Sequence, residues 1–172
     1  NGIQCENVYE FELIRSVLPR IETIEFQELS NNNFIKIIAT GDGDFEYSID
    51  GALYQDNNLF NNVLGGIYTV FVRDKYGCGS DQKEVVLIDY PKFFTPNNDG
   101  INDYWQIRGI KNFNNVQIFI YDRYGKLLKQ LTPNSNGWDG TFNGAILPSS
   151  DYWFTANLNN LKQIKGHFTL KR

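Results

Sequence analysis

The chain reads as all-β: two antiparallel β-sandwich domains in tandem. Three observations point there. Apolar and polar residues alternate with a period of two in one stretch after another, turn residues recur at short intervals, and no stripe at helical spacing stands out. Alternation of this kind is what a strand with one core-facing side requires.

In chain order, Tyr9, Phe11 and Leu13 alternate with Glu10 and Glu12. Ile35, Ile37 and Ala39 alternate with Lys36 and Ile38, and Tyr68, Val70 and Val72 with Thr69, Phe71 and Arg73. The run from Lys83 to Ile88 reads as a further strand. Beyond it, Val116, Ile118 and Ile120 alternate with Gln117, Phe119 and Tyr121. Between these runs lie Gly41-Asp42-Gly43-Asp44, read as a hairpin turn, then Asp50-Gly51, Gly65-Gly66, Tyr76-Gly77, Tyr124-Gly125, Asn136-Gly137, Asp139-Gly140, Asn143-Gly144 and Asn159-Asn160. Short strands with turns at this spacing suit sandwiches. The boundary is placed at Asp89-Tyr90-Pro91, because Pro91 cannot donate to a ladder and suits a linker or an edge. The first unit is then residues 1–90 and the second residues 91–172.

The 172 residues are 41% hydrophobic and 15% aromatic, enough to build cores, and the 21% that are charged are too few for a disordered chain. A net charge of −4 with scattered Lys and Arg argues against nucleic acid, whose phosphates call for clustered cations. No apolar run approaches the roughly 18–20 residues that span a membrane. Asn1-Gly2-Ile3-Gln4-Cys5 is polar, unlike a signal peptide, and the absence of Met points to a fragment of a longer protein. The two cysteines, Cys5 and Cys78, allow one disulfide. Closing so long a loop would stabilise the fold by about 4 kcal/mol in the chain-entropy model. Two unrelated thiols are the alternative, and an oxidising compartment would favour the bridge.

Catalytic chemistry is not expected. The single histidine, His167, lies in the last strand, and no nucleophile elbow, Walker loop or zincin helix is present. Asp99 and Asp103 are close in sequence, but nothing marks either as a buried acid. The densest polar stretch is Phe94-Thr95-Pro96-Asn97-Asn98-Asp99-Gly100-Ile101-Asn102-Asp103. With Thr95 at position 1 it mimics a calcium loop, in which Asn97, Asp99, the Ile101 carbonyl and Asp103 would be the ligands. Gln106 stands where such loops carry a bidentate Glu. The competing reading is a set of Asx turns, in which Asn and Asp oxygens satisfy backbone N–H groups. No cofactor is required, and calcium is the one candidate. Trp105, Trp138 and Trp153 offer a sugar-binding platform, although core packing is the commoner use of such residues. Alternation sets Trp153 on the opposite face from Tyr152 and Phe154, which leaves one aromatic exposed or covered by a partner. Strand addition at an open sheet edge is a second docking route.

The second unit resembles the type IX secretion system C-terminal sorting domain in its type B, gliding motility-associated form, a family of the Bacteroidota. The resemblance rests on Phe94 to Trp105, similar to F-T-P-N-x-D-G-x-N-D-x-aromatic. It rests also on Val116 to Gly125, similar to V-x-I-Y-N-R-W-G, with Asp122 for Asn and Tyr124 for Trp. Gly137-Trp138-Asp139-Gly140, Leu147-Pro148 with Asp151-Tyr152-Trp153-Phe154, and Gly166 to Arg172 complete it. Asp151 replaces the usual Gly, in a turn expected to tolerate a left-handed Asp. The resemblance implies a non-enzymatic signal that sends a cargo across the outer membrane to the cell surface or the medium. It implies recognition by the secretion machinery with a PorP/SprF-like outer-membrane β-barrel. The recognition elements expected are Thr95, Asn97, Asp99, Asn102 and Asp103, Arg123 with its turn, Trp153, and Leu170-Lys171-Arg172. Their structural alternative is a loop, a hairpin turn and a closing edge strand. The first unit is similar to Ig-like repeats of surface adhesins, through Gly41 to Gly51 and Gly65 to Cys78. The other function considered is a carbohydrate- or surface-binding adhesin module.

Overall fold

A computed structural model describes residues 8–11, 17–158 and 162–172. It is all-β, with no helix among the described residues. In the first half, β1 (Val17–Gln27), β2 (Phe34–Asp42) and β4 (Leu59–Asn61) form one three-stranded sheet in the order β1-β2-β4. β3 (Phe45–Ser48), β5 (Gly66–Asp74) and β6 (Ser80–Leu87) form a second, in the order β3-β5-β6. Both sheets are antiparallel throughout. The period-two pattern delivers its apolar side to the space between them. Ile35 and Ile37 of β2 and Val70 and Val72 of β5 are fully buried, in one cluster with Ile21, Val63, Val85 and Leu87.

Two local expectations differ from what forms. Gly41 to Asp44 is not a hairpin, since β2 pairs with β1 and β4 whereas β3 pairs with β5. It is the corner at which the chain passes from one sheet to the other. Asp44 is held there by Lys75, 3.0 Å away, and Lys75 also meets Asp56 at 2.8 Å. Tyr9 and Phe11 lie outside any strand and are exposed; Leu13 lies outside the described residues, so their alternation has no partner face on view. Cys78 is exposed in the β5–β6 connection, while Cys5 lies outside the described residues.

The second half is built on a five-stranded sheet. Its strands are β7 (Phe93–Phe94), β8 (Gln117–Tyr121), β9 (Leu127–Leu131), β12 (Ser150–Leu158) and β13 (Lys162–Leu170), in the order β7-β13-β12-β8-β9. The pairs are antiparallel except for the two-residue parallel pair of β7 with β13. The inner face carries Phe94, Ile118, Ile120, Tyr152, Phe154, Ala156, Phe168 and Leu170. The layer covering it is mostly irregular chain, plus the hairpin β10 (Thr141–Phe142) and β11 (Ala145–Ile146). Trp105 and Trp138 anchor this layer. Each donates its backbone N–H to the other's carbonyl at 2.9 Å, and both side chains are fully buried. The indole N–H groups are satisfied, Trp105 on Pro91 O at 2.9 Å and Trp138 on Thr141 O at 2.8 Å, as buried donors must be. The Trp105 ring stacks on Phe168 at 3.9 Å.

The two cores meet at one peptide bond: Leu87 belongs to the first cluster and Ile88 to the second. The Ile88 N–H donates to Glu28 Oε2 at 2.8 Å and its carbonyl accepts from Leu29 N–H at 3.2 Å. Leu29 packs against the second core, and Asp89 pairs through its backbone with Arg108. The connection is therefore a braced join with its hydrogen bonds made, rather than a solvated linker.

Candidate functional site

Sheet register collects most of the expected recognition residues at one end of the second half. Ser150, which opens β12, pairs with Leu170, which closes β13, and Leu170 pairs with Phe94 at the end of β7. Tyr121 ends β8 beside Trp153. Segments 95–103, 122–126, 147–149 and 171–172 therefore leave the sheet on the same side.

The 95–103 loop is closed by its own backbone and side chains. Thr95 N–H donates to Asn102 O at 2.8 Å, and Thr95 Oγ1 lies 3.4 Å from Ile101 O. Asp99 Oδ1 accepts from Ile101 N–H at 2.8 Å, and Asp99 Oδ2 from the Asn97 amide at 2.8 Å. Asp103 accepts from Asn98 N–H on one oxygen and from Gly100 N–H on the other. Asn98 and Asn102 take left-handed backbone at φ +65° and +54°, the conformation short polar side chains tolerate best after glycine. These bonds are those of the Asx-turn reading. All four carboxylate oxygens of Asp99 and Asp103 already face N–H donors, so a calcium ion would have to displace them. No group of three or more acidic, His or Cys side chains suited to a metal occurs among the described residues. The donor set does not fit a bound ion.

The Asn97 amide, and after it the Ile101 N–H, hold the Asp99 carboxyl below its ordinary range. A lowered folded pKa contributes stability that is present above the unfolded pKa, near 3.9, and lost as pH falls through the folded value. Asp99→Asn should therefore lower the melting temperature at neutral pH. The gap to the wild type should close in acid below the usual carboxylate range. A gap that persists there in a thermal-melt series would show that the charge is not what matters.

Arg172 ties this end together. Its Nη1 donates to Pro96 O at 3.3 Å, its Nη2 to Gly140 O at 3.3 Å and its Nε to Leu147 O at 3.1 Å. One planar fork thus holds three loops by their carbonyls, a geometry that an ammonium group could not copy. Gly140 has to be glycine: it lies at φ +77°, and a Cβ there would overlap the Leu170 side chain. Leu170 itself is fully buried, so it is a core residue and offers nothing to a partner. Lys171 reaches over the Phe93 ring at 4.4 Å.

Arg123 lies in the β8–β9 turn, where Asp122 Oδ1 accepts from Tyr124 N–H at 2.8 Å and Lys126 N–H at 3.0 Å. Its guanidinium donates to Ser150 Oγ at 2.8 Å, which links this turn to the start of β12. Trp153 stands on the outer sheet face, 42% exposed, between Tyr121 and His167 on the neighbouring strands. The other two tryptophans are core, so no three-tryptophan platform exists. Asp151 is extended strand with Oδ1 accepting from Thr169 Oγ1 at 2.6 Å, not a left-handed turn residue. Ser149 Oγ accepts the Arg172 N–H at 2.9 Å, and the contributions of Ser149, Ser150 and Gly140 to this end are not among the sequence expectations. The Trp138-Asp139-Gly140 motif was their one visible trace, since Asp139 Oδ1 also caps Thr141 N–H at 3.0 Å.

No curated protein matches the chain. Among solved structures, dimeric latent PorU from Porphyromonas gingivalis is similar at 17% identity and a TM-score of 0.31, over 88% of this chain and 20% of that one. SGBP-B of the Bacteroides ovatus mixed-linkage glucan utilization locus, in complex with a mixed-linkage heptasaccharide, is similar at 14% identity and a TM-score of 0.27, over 90% and 48%. Surface layer protein SbsC, domains 4–9, is similar at 10% identity and a TM-score of 0.24, over 88% and 31%. The chain thus spans less than half the length of each. Residues 88–170 match the model of the CHU_C Type IX secretion signal domain. That match covers the five-stranded sheet and all but the last two residues of the end described above. It supports a C-terminal sorting signal of the type IX secretion kind in this part of the chain, and with it export from the cell.

Proposed function

We propose that the chain is a non-enzymatic export module, in which residues 88–172 address an attached cargo to the type IX machinery for passage across the outer membrane. Docking is by protein–protein contact at the loop end tied by Arg172, with exposed Trp153 on the adjoining face. The partner we favour is an outer-membrane β-barrel of the PorP/SprF-like kind, and the destination is the cell surface or the medium. Residues 1–87 then form an Ig-like repeat of a surface protein. The observation that carries this reading is convergence. Pro96, Gly140 and Leu147 lie far apart in sequence, within three of the motif segments that resemble the sorting family, yet one guanidinium holds all three carbonyls.

The test fuses residues 1–172 behind a periplasmic reporter in a strain competent for type IX secretion. The reporter is expected outside the cell. Arg172→Ala is expected to reduce its export several-fold while the purified protein keeps a cooperative melt, and Arg172→Lys should rescue only in part. A reporter that stays in the periplasm with the intact chain sinks the proposal. Calcium is not needed in this reading. Adding millimolar Ca²⁺ to the purified chain should leave its melting temperature unchanged and give no binding heat, and a clear upward shift would restore the calcium loop.

A further inference from the structure

We infer that the cleft between the two halves of the chain binds a small monocarboxylate, of the size and chemistry of a single uronic acid. The cleft measures about 400 Å³, within the range of natural small-molecule sites, which favour the seams between structural units. One wall is Gly65, Gly66 and Ile67 from the first half. The other is the 106–111 segment of the second half, with Pro133 beside it.

Three features choose the ligand. The charged residues lining the cleft are Arg108 and Lys111, with no carboxylate among them, whereas three other clefts, at the loop end of the second half, mix both signs. Neither cation has an ion-pair partner among the described residues. The uncharged polar groups are spent: Gln106 Nε2 donates to Thr132 O and to Ser135, and Ser135 Oγ donates to Thr132 O. That leaves the guanidinium and the ammonium as the side-chain donors on offer. Asp89, paired through its backbone with Arg108, lies behind this wall with Oδ1 enclosed and unpartnered. Its carboxylate makes no ion pair with either cation, but it enters the local charge sum. The local balance is then one positive charge, which suits a monoanion better than a phosphate dianion. Ile67 and Pro133 supply apolar surface for the C–H face of a sugar ring.

The sequence adds a wider reason for an anion on this side. Residues 88–172 hold ten Lys and Arg against six Asp and no Glu, while residues 1–87 hold six against fourteen acids. An anion is therefore drawn to the second half of the chain, and the cleft is where two of its cations stand unpaired.

The experiment titrates the isotope-labelled full chain with D-glucuronate, with D-glucose as the neutral arm and inorganic phosphate as the free-anion arm, following backbone amides by NMR. Saturable shifts at 65–67 and 106–111 are expected with glucuronate in the millimolar range, and none with glucose. Lys111→Gln, at an exposed position, and Arg108→Gln should each weaken binding by about tenfold, the worth of one charged hydrogen bond. Well-dispersed spectra will show that both variants are folded. No shift at these amides overturns the inference. So does an equal response to phosphate, or glucuronate binding that survives both substitutions.

Discussion

Replacing Trp105 by alanine is expected to destabilise the second half of the chain strongly rather than to strip a binding surface. The ring is fully buried, stacks on Phe168 at 3.9 Å and lies 4.9 Å from Phe154. Its N–H loses no partner to water, because it reaches Pro91 O. Removing so large a side chain costs about 3–5 kcal/mol through lost burial and the cavity left behind. A domain of this size has roughly 5–15 kcal/mol to lose. Alanine can still make the backbone pair with Trp138, but the covering layer loses one of its two buried anchors. Denaturant titration should place the midpoint of Trp105→Ala far below that of the wild type. Trp153→Ala should stay within about 0.5 kcal/mol of it, as surface changes usually do. The two variants then separate folding from recognition in the export assay. Trp105→Ala fails through lost stability, and Trp153→Ala fails, if it fails, as a protein of wild-type stability. A Trp105→Ala chain that melts like the wild type would contradict the stacked core.

The sequence made the strands legible wherever burial is set by alternation. Ile35, Ile37, Val70, Val72, Ile118 and Ile120 all sit on the sides the period-two pattern assigns them. Trp153 is exposed for the same reason, its neighbours Tyr152 and Phe154 being buried. The pattern is silent about irregular chain, and Trp105 and Trp138 are in irregular chain. Their burial follows from a cross-layer pair that no local window contains. The Gly41–Asp44 corner shows a related limit. Its turn chemistry would serve a hairpin equally well, and only the choice of partner strands, which is not local, tells a hairpin from a crossing between sheets. The Asx network at Thr95–Asp103 was open to reading because its donors and acceptors lie within a few residues of one another. The role of Arg172 was not, since its three carbonyl partners come from segments far apart in the sequence. Polar residues in a dense cluster suggested a ligand, but the bonds they make are to their own backbone.

The join between the two halves yields the second large effect. Gly109 lies at φ +78°, and a Cβ there would overlap the carbonyl oxygen of Leu87 and stand 3.4 Å from Gly66 N. It follows Arg108, whose backbone pairs with Asp89, and precedes the fully buried Ile110. Valine at this position pays about 1–2 kcal/mol for left-handed backbone alone. The overlap cannot be relieved by turning a side chain, because the atom it meets is backbone of β6. The chain must move, and the pieces that move are those at the join: the bonds of Ile88 to Glu28 and Leu29, which fasten one half to the other, and the Asp89–Arg108 pair, which holds this segment beside β6. Each core should survive, since neither cluster includes Gly109. The expected result is a change of cooperativity. Calorimetry should show one transition in the wild type and two in Gly109→Val, the more labile of them that of the half whose edge was disturbed. Hydrogen exchange should quicken at Leu29, Ile88, Asp89 and Arg108 before it quickens inside either sheet. One unchanged transition in the variant would mean that the halves are fastened elsewhere. If instead they separate, the relative placement of the two halves depends on the close backbone approach of Gly109 to β6, and the cleft between Gly65 and Lys111 opens with it.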